Sequence, residues 1–375
     1  SPADDSFVDL GLGLGWENFG TYFDGALMVR AEVDGQSDSE VSSIDHEPGW
    51  NLIGLPLGVE DAFYSSLFPG SIDGTLYSFD GSYDPEEYLT PGEGYWLRFP
   101  GSGSSIISGT PINDLTISLS EGWNLISGPS GDVSIYSVND SGDVIVEGTL
   151  YSFSGGYMPS ETLVPGKGYW LRAYEDGEIT LSSGGLARVS GESMSLKGEA
   201  NTLSIHGMDL YFGMDLPDEE MLGYSLPPRP PSGSLDVRFT GDTRVAGDHG
   251  DIEVMGPGET LDIVYDIKID AGDHMSWVLI SDSGEEYVLD EGGEMVVPSS
   301  ARFTLDRSAQ IPVSYTLHQN YPNPFNPVTT LRYDLPDDGH VRIMVHDLMG
   351  REVRTLVDIY QKAGYRSIEW NATND

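Results

Sequence analysis

The sequence contains no cysteine in 375 residues, which excludes disulfide staples, thiolate metal ligands and a cysteine nucleophile. Stability must then come from packing or from bound cations. Basic residues are scarce: 18 Lys and Arg stand against 61 Asp and Glu, a formal net charge of −43. Such a surface repels phosphate backbones and anionic headgroups, so nucleic acid and membrane surfaces are disfavoured as natural partners and cations are favoured. The imbalance is concentrated early, because Arg30 and Arg98 are the only basic residues among the first 166. Long apolar runs are missing too. None approaches the ~20 residues of a transmembrane segment, and no charged-then-apolar leader opens the chain, so export would use a leader removed upstream.

Catalytic signatures are equally sparse. The seven histidines include no His-Glu-x-x-His motif and no i, i+4 pair suited to zinc. There is no Gly-x-Ser-x-Gly elbow and no phosphate-cradling loop, and the Gly11-Leu12-Gly13-Leu14-Gly15 run lacks dinucleotide spacing. A glycosidase pair could hide among the carboxylates, since separation in space defines it. Tandem modules of ~70 residues nevertheless offer little scaffold for a catalytic groove. The chain reads as a non-enzyme without an organic cofactor.

What is abundant is the vocabulary of short strands and tight turns: 47 Gly and 23 Pro among many Thr, Ser, Tyr and Val, which points to an all-β chain. Its clearest feature is an internal repeat. Gly49-Trp50-Asn51-Leu52-Ile53 returns as Gly122-Trp123-Asn124-Leu125-Ile126, each followed by a proline, Pro56 and Pro129. Gly74-Thr75-Leu76-Tyr77-Ser78-Phe79 returns as Gly148-Thr149-Leu150-Tyr151-Ser152-Phe153. Pro91-Gly92-Glu93-Gly94-Tyr95-Trp96-Leu97-Arg98 returns as Pro165-Gly166-Lys167-Gly168-Tyr169-Trp170-Leu171-Arg172. Residues 114–120 alternate, placing Leu115, Ile117 and Leu119 on one face. Pro-Gly-x-Gly supplies a turn, since glycine tolerates positive φ. Tyr77, Phe79, Tyr83, Tyr95 and Trp96 could form a platform that stacks sugars; the stronger reading is a core of large aromatics beside turn glycines. Asn51 and Asn124 read as buried amides that pin turns.

This pairing of motifs resembles duplicated modules near the C-terminal ends of large secreted proteins of the Bacteroidetes and Chlorobi kind. The resemblance implies a β-rich spacer or binding module without assigned chemistry. The organisation expected is then a remnant of an upstream β-domain over 1–38, repeat modules over 39–112 and 113–187, a β-sandwich with a proline-rich connector over 188–308, and an Ig-like end over 309–375. Within 1–38, Tyr22-Phe23-Asp24-Gly25-Ala26-Leu27-Met28-Val29-Arg30-Ala31-Glu32-Val33 resembles the last strand of a β-domain found ahead of such modules, including in secreted peptidases.

In the middle, 194–196 and 203–205 read as paired strands, and Leu226-Pro227-Pro228-Arg229-Pro230-Pro231-Ser232-Gly233 as a stiff extended connector. Residues 235–239, 260–267, 275–280 and 301–305 read as further strands. Two acidic loops, with Asp140 and Asp143 in one and Asp248 and Asp251 in the other, could present oxygens to calcium, although neither follows the twelve-residue calcium loop. Solvated turns are the other reading.

The sharpest motif is Asn320-Tyr321-Pro322-Asn323-Pro324-Phe325-Asn326-Pro327, ahead of a strand over 341–345 and a turn at Gly350-Arg351. Its prolines force an extended lead-in while Asn320, Asn323 and Asn326 cap exposed backbone. Residues 315–370 resemble the C-terminal sorting domain of type IX secretion cargo, an Ig-like fold also likened to the flagellar hook-capping protein. The resemblance implies recognition by the secretion machinery and an extracellular or cell-surface location. Two departures stand out: His346 occupies a position usually aromatic in the family, and the last family strands are not in this sequence, which leaves the sandwich short of an edge. The expected function is a structural or adhesive surface protein, self-associating or binding other surface components, with a filament assembled by strand donation as its concrete form. The alternatives are the non-catalytic tail of a secreted hydrolase such as a peptidase, and a carbohydrate-binding accessory module.

Overall fold

A computed structural model describes residues 7–8, 17–18, 39–184, 196, 198–256, 258–268, 275–309 and 311–374. The chain divides into two compact units, Ser1–Ser39 and Glu40–Asp375. In the first, Phe7–Val8 pairs antiparallel with Glu17–Asn18; the remnant strand read at residues 22–33 lies outside the described residues. Strands make up nearly all the regular structure of the second, and the chain is all-β.

The two repeat copies share one strand plan. In the first, Glu40–His46 pairs with Gly103–Pro111, and Gly49–Gly54 with Gly94–Phe99, whose Trp96 meets Tyr77 of the Tyr77–Phe79 strand. In the second, Asp114–Leu119 pairs with Gly177–Ser182, and Gly122–Ser127 with Gly168–Ala173, whose Trp170 meets Tyr151. Period-two alternation splits each Tyr-Trp-Leu strand between two cores. Tyr95, Leu97 and Phe99 enter the first copy's own core and Tyr169, Leu171 and Ala173 the second's, while Trp96 and Trp170 turn to a cluster both copies share.

The next region is a sandwich of two five-stranded sheets. One contains Asn201–Ile205, Met208–Phe212, Thr260–Asp266 and Gly292–Pro298; the other contains Asp236–Phe239, Gly250–Met255, Met275–Ser281 and Arg302–Ala309. Their facing side chains, Leu203, Ile263, Trp277 and Phe303 among them, form one core. The four strands read over 235–239, 260–267, 275–280 and 301–305 all form here. The pairing of 194–196 with 203–205 does not: Asn201–Ile205 takes Met208–Phe212 as its hairpin partner, Leu196 is outside any strand, and residues 194–195 lie outside the described residues. His206 and Gly207, both at positive φ (49° and 84°), make the two-residue turn that matches strand twist.

At the end of the chain, Val328–Leu335 pairs with Gly364–Asn371, and Gly339–His346 with Glu352–Gln361, around a small core of Tyr333, Leu335 and Val357. Gly350 turns the second hairpin at φ 78°. The Asn-Pro run is not an extended lead-in. Tyr321 and Thr330 exchange both backbone hydrogen bonds, at 3.0 and 2.9 Å, so the intervening residues form a closed loop. Proline fixes φ but leaves the chain free to reverse between its prolines.

Candidate functional site

Each repeat begins with the same bracket. Asn51 accepts from the Glu47 amide at 2.9 Å and donates to the carbonyls of Glu47 and Gly49 at 2.8 and 3.1 Å. Asn124 does the same with Ser120 and Gly122, at 2.9, 2.8 and 3.1 Å. Three of the amide's hydrogen-bonding positions are spent on one turn, and Gly49 and Gly122 adopt the same φ of 91°. These asparagines pin backbone.

The bracketed strands bring the aromatics together. Trp96 and Trp170 are fully buried. Phe79 of the first copy meets Trp170 edge-on at 4.8 Å, and Phe153 of the second meets Trp96 at 4.7 Å. Within each copy Trp50 and Trp96 stand 6.4 Å apart, as do Trp123 and Trp170, with Arg98 over Trp50 and Arg172 over Trp123. Each of these contacts has its counterpart in the other copy, so the repeats meet like the halves of a two-fold dimer. Edge-on aromatic pairs of this kind contribute about 0.5–1.5 kcal/mol each beyond burial. The aromatic motif residues other than Tyr95 and Tyr169 are therefore a seam.

The Pro-Gly-x-Gly loops close the seam from both sides. Gly92 and Gly166 have positive φ, 94° and 78°, as a turn requires. Their backbones also cross between copies: the Gly54 amide donates to Gly166 O at 3.1 Å and the Ser127 amide to Gly92 O at 2.9 Å. The second glycine of each loop has a different reason. A Cβ on Gly94 would lie 2.5 Å from Ile126 O, and one on Gly168 2.7 Å from Ile53 O, so each leaves room for the other copy's main chain. Symmetry breaks at the residue between the glycines. Glu93 accepts from the Tyr95 hydroxyl at 2.6 Å, whereas Lys167 reaches across to donate to Asp45 O. Burial lowers the Lys167 pKa, against the attraction of Asp45 and Glu47. A cleft of about 630 Å3 lies beside it, with Glu47, Trp50, Phe153 and Lys167 in its walls.

Over the seam runs the proline segment read as a stiff connector, and it is packed against both repeats. Leu226 belongs to the seam cluster itself, and Pro227 and Pro230 are buried. Four carbonyls are held: Pro227 O by Arg238 at 2.9 Å, Pro228 O by the Tyr157 hydroxyl at 2.6 Å, Arg229 O by the Tyr83 hydroxyl at 2.9 Å, and Ser232 O by the Trp50 indole at 3.3 Å. Tyr83 and Tyr157 are equivalent positions of the two copies, and they donate to adjacent carbonyls. Burial pushes the Tyr83 hydroxyl up to about 12 and raises Tyr157 well above the ordinary tyrosine value, so both stay protonated and donate. An extended proline run has no internal hydrogen bonds, so its carbonyls need outside donors when buried.

Arg238 was not singled out by sequence. It is fully buried, grips both oxygens of Asp236 at 2.6 Å and reaches Asp242 at 2.9 Å. The i, i+2 spacing of Asp236 and Arg238 on one strand face was its only signal.

The acidic loops do not converge on a cation. Asp140 accepts from the amides of Val144 and Ile145 at 3.0 and 2.9 Å, which closes its turn; Asp143 occupies the same turn at φ 53°. Asp248 pairs with Arg307, and Asp251 accepts from Thr304 at 2.8 Å. Among the described residues no group of three His, Asp or Glu could hold a metal. In the Asn-Pro loop, Asn320 fills the capping role through Thr329 at 2.9 Å, which in turn donates to Pro322 O at 2.9 Å. Asn323, Pro324, Asn326 and Pro327 continue the loop, and Phe325 packs on Trp370 at 5.3 Å. Asp347 accepts from the Arg351 amide and side chain, which holds its carboxyl below the usual value. No protein-family model, curated protein or solved structure matches this chain.

Proposed function

We propose that the chain is a non-catalytic structural or adhesive β protein of the cell surface or extracellular space. The observation that carries this reading is the seam: the tryptophans of the repeat motif, with Tyr77, Tyr83, Tyr151 and Tyr157, are spent on welding two repeats and a strap into one body. Such a body resists being pulled apart, because its strap holds the repeats and the sandwich together. A net charge of −43 keeps it hydrated and repels phosphate and lipid surfaces. The resemblance of 315–370 to the type IX sorting domain supports secretion, with that region addressed by the export machinery.

Self-assembly by strand addition is the specific form proposed. The hairpin of Gly339–His346 and Glu352–Gln361 is two-stranded, and it carries exposed Val353, Ile359 and Tyr360, with Leu348 and Met349 at its tip. An open edge beside exposed apolar side chains templates another strand. Sedimentation and electron microscopy over rising concentration test this, with and without calcium. Oligomers or filaments that Ile359→Lys abolishes are the expected result, and a chain that stays monomeric throughout removes self-assembly from the reading. Measurable turnover of a bound substrate by this polypeptide alone would remove the reading itself.

A further inference from the structure

We propose that the aromatic seam is a binding groove for proline-rich peptides carrying a basic residue between proline pairs, and that residues 226–233 occupy it in cis. The two tyrosine donors of the groove are positioned by rings of the repeats. Tyr83 rests against Phe79 and Trp170, and Tyr157 against Phe153 and Trp96, so both hydroxyls are fixed by rings of the seam.

The chemistry on each side is complementary. A polyproline II segment turns every three residues and leaves its carbonyls free. Pro227 and Pro230, three apart, are buried against the body, and the carbonyls of Pro228, Arg229 and Ser232 take donors from Tyr157, Tyr83 and Trp50. Proline-rich segments dock in aromatic-lined grooves; here two tyrosine hydroxyls hold the run itself, and the Trp50 indole holds the Ser232-Gly233 turn that follows it. Arg229 projects away from the seam to pair with Glu253, which supplies the preference for a basic residue at that position. The two-fold relation of the donors adds a property: Tyr83 and Tyr157 present like hydroxyls whichever way a peptide runs.

The test uses the full chain with Pro227, Pro228, Pro230 and Pro231 changed to serine, and a synthetic peptide Leu-Pro-Pro-Arg-Pro-Pro-Ser followed by tryptophan fluorescence and calorimetry. The serine variant is expected to bind the peptide ~10-fold or more tightly than the unaltered chain, whose own strap competes at an effective concentration on the order of millimolar. Adding Tyr83→Phe and Tyr157→Phe to that variant is expected to weaken binding ~10-fold, since two hydrogen bonds are lost. A Gly-Ser peptide of equal length is expected not to bind. A folded serine variant that ignores the proline peptide overturns the proposal, as does binding indifferent to both tyrosines. Should the serine variant not fold, the unaltered chain is incubated with excess peptide and the NMR shifts of the Arg229, Ser232 and Gly233 signals are followed. Movement of those shifts toward free-chain values is expected; unchanged shifts overturn the proposal.

Discussion

The repeats and the C-terminal hairpins are built from the same materials and use them in opposite ways. Both are antiparallel strands rich in aromatic and aliphatic side chains. In the repeats the largest of these, Trp96 and Trp170, have no exposed surface, whereas Tyr321 is 81% and Tyr360 67% exposed. The difference is the presence of a matching face. Each repeat sheet finds its twin, and the two bury one another's rings; among the described residues the C-terminal sheets gather a small hydrophobic core whose buried members are Tyr333, Leu335 and Val357. Apolar content by itself does not decide what is buried. A partner surface does.

The contrast breaks most visibly at the tryptophans. Trp170→Ala is expected to destabilise the repeats by about 3–5 kcal/mol, and thermal unfolding followed by tryptophan fluorescence will register both copies, because Phe79 of the other copy loses its partner. Val357→Ala, at the C-terminal core, is expected to cost about 1–2 kcal/mol, the value of two methyl groups, and to leave the repeat transition in place. A tryptophan variant that unfolds one copy and spares the other would refute the shared seam.

Glycine gives the next largest effect. Gly168→Ala drives a methyl group into the Ile53 carbonyl and should cost about 1–3 kcal/mol, with Gly94→Ala close to it. At Gly339, in the C-terminal hairpin, a Cβ meets nothing within 4 Å, and alanine there should stay within about 0.5 kcal/mol. Denaturant midpoints compare the three directly.

Proton linkage separates the regions by sign. A tyrosine whose pKa is raised by folding keeps its contribution below its unfolded value near 10 and loses it as pH climbs toward the folded value. Tyr83, at about 12, therefore weakens the seam between pH 10 and about 12, and Tyr83→Phe should flatten that decline. Asp347 is depressed by its hydrogen bonds from Arg351 and Met349. Its contribution is present above the unfolded value of 3.8 and fades as pH falls through the folded one, so acid loosens the Gly350 turn first. Carbon-detected NMR titration of Asp347, with Arg351→Ala as control, reads this. Tyr360→Lys is expected to leave stability within about 0.5 kcal/mol while reducing self-association, which makes it the sharpest probe of surface against core.

Much of this organisation was legible from local signals. The repeat, the all-β class, the asparagine brackets and the Gly350 turn depend on residues near one another in sequence, where turn chemistry and alternation act. The His206-Gly207 turn carried a short-hairpin signal that the pairing of 194–196 with 203–205 passed over. Destinations were harder. Four prolines announce a stiff run, yet nothing in them says that it lies on Tyr83 and Tyr157. The acidic loops announce oxygens, but their neighbours Arg307, Thr304 and the local amides claim them. Arg238 resembles any surface arginine until Asp236 and Pro227 O are seen to surround it. Tyr83, Tyr157, Thr304 and Arg307 meet their partners across more than fifty residues of chain, and spacing along a strand does not encode that.

The close passage of Gly94 and Gly168 against the opposite main chain also sets the terms on which the duplication persists. Duplicated segments ordinarily drift apart, each free to accept its own changes. Here any bulk admitted at one loop is felt by its twin, so the pair is held to a common pattern at these positions while Glu93 and Lys167, between the glycines, are at liberty to differ.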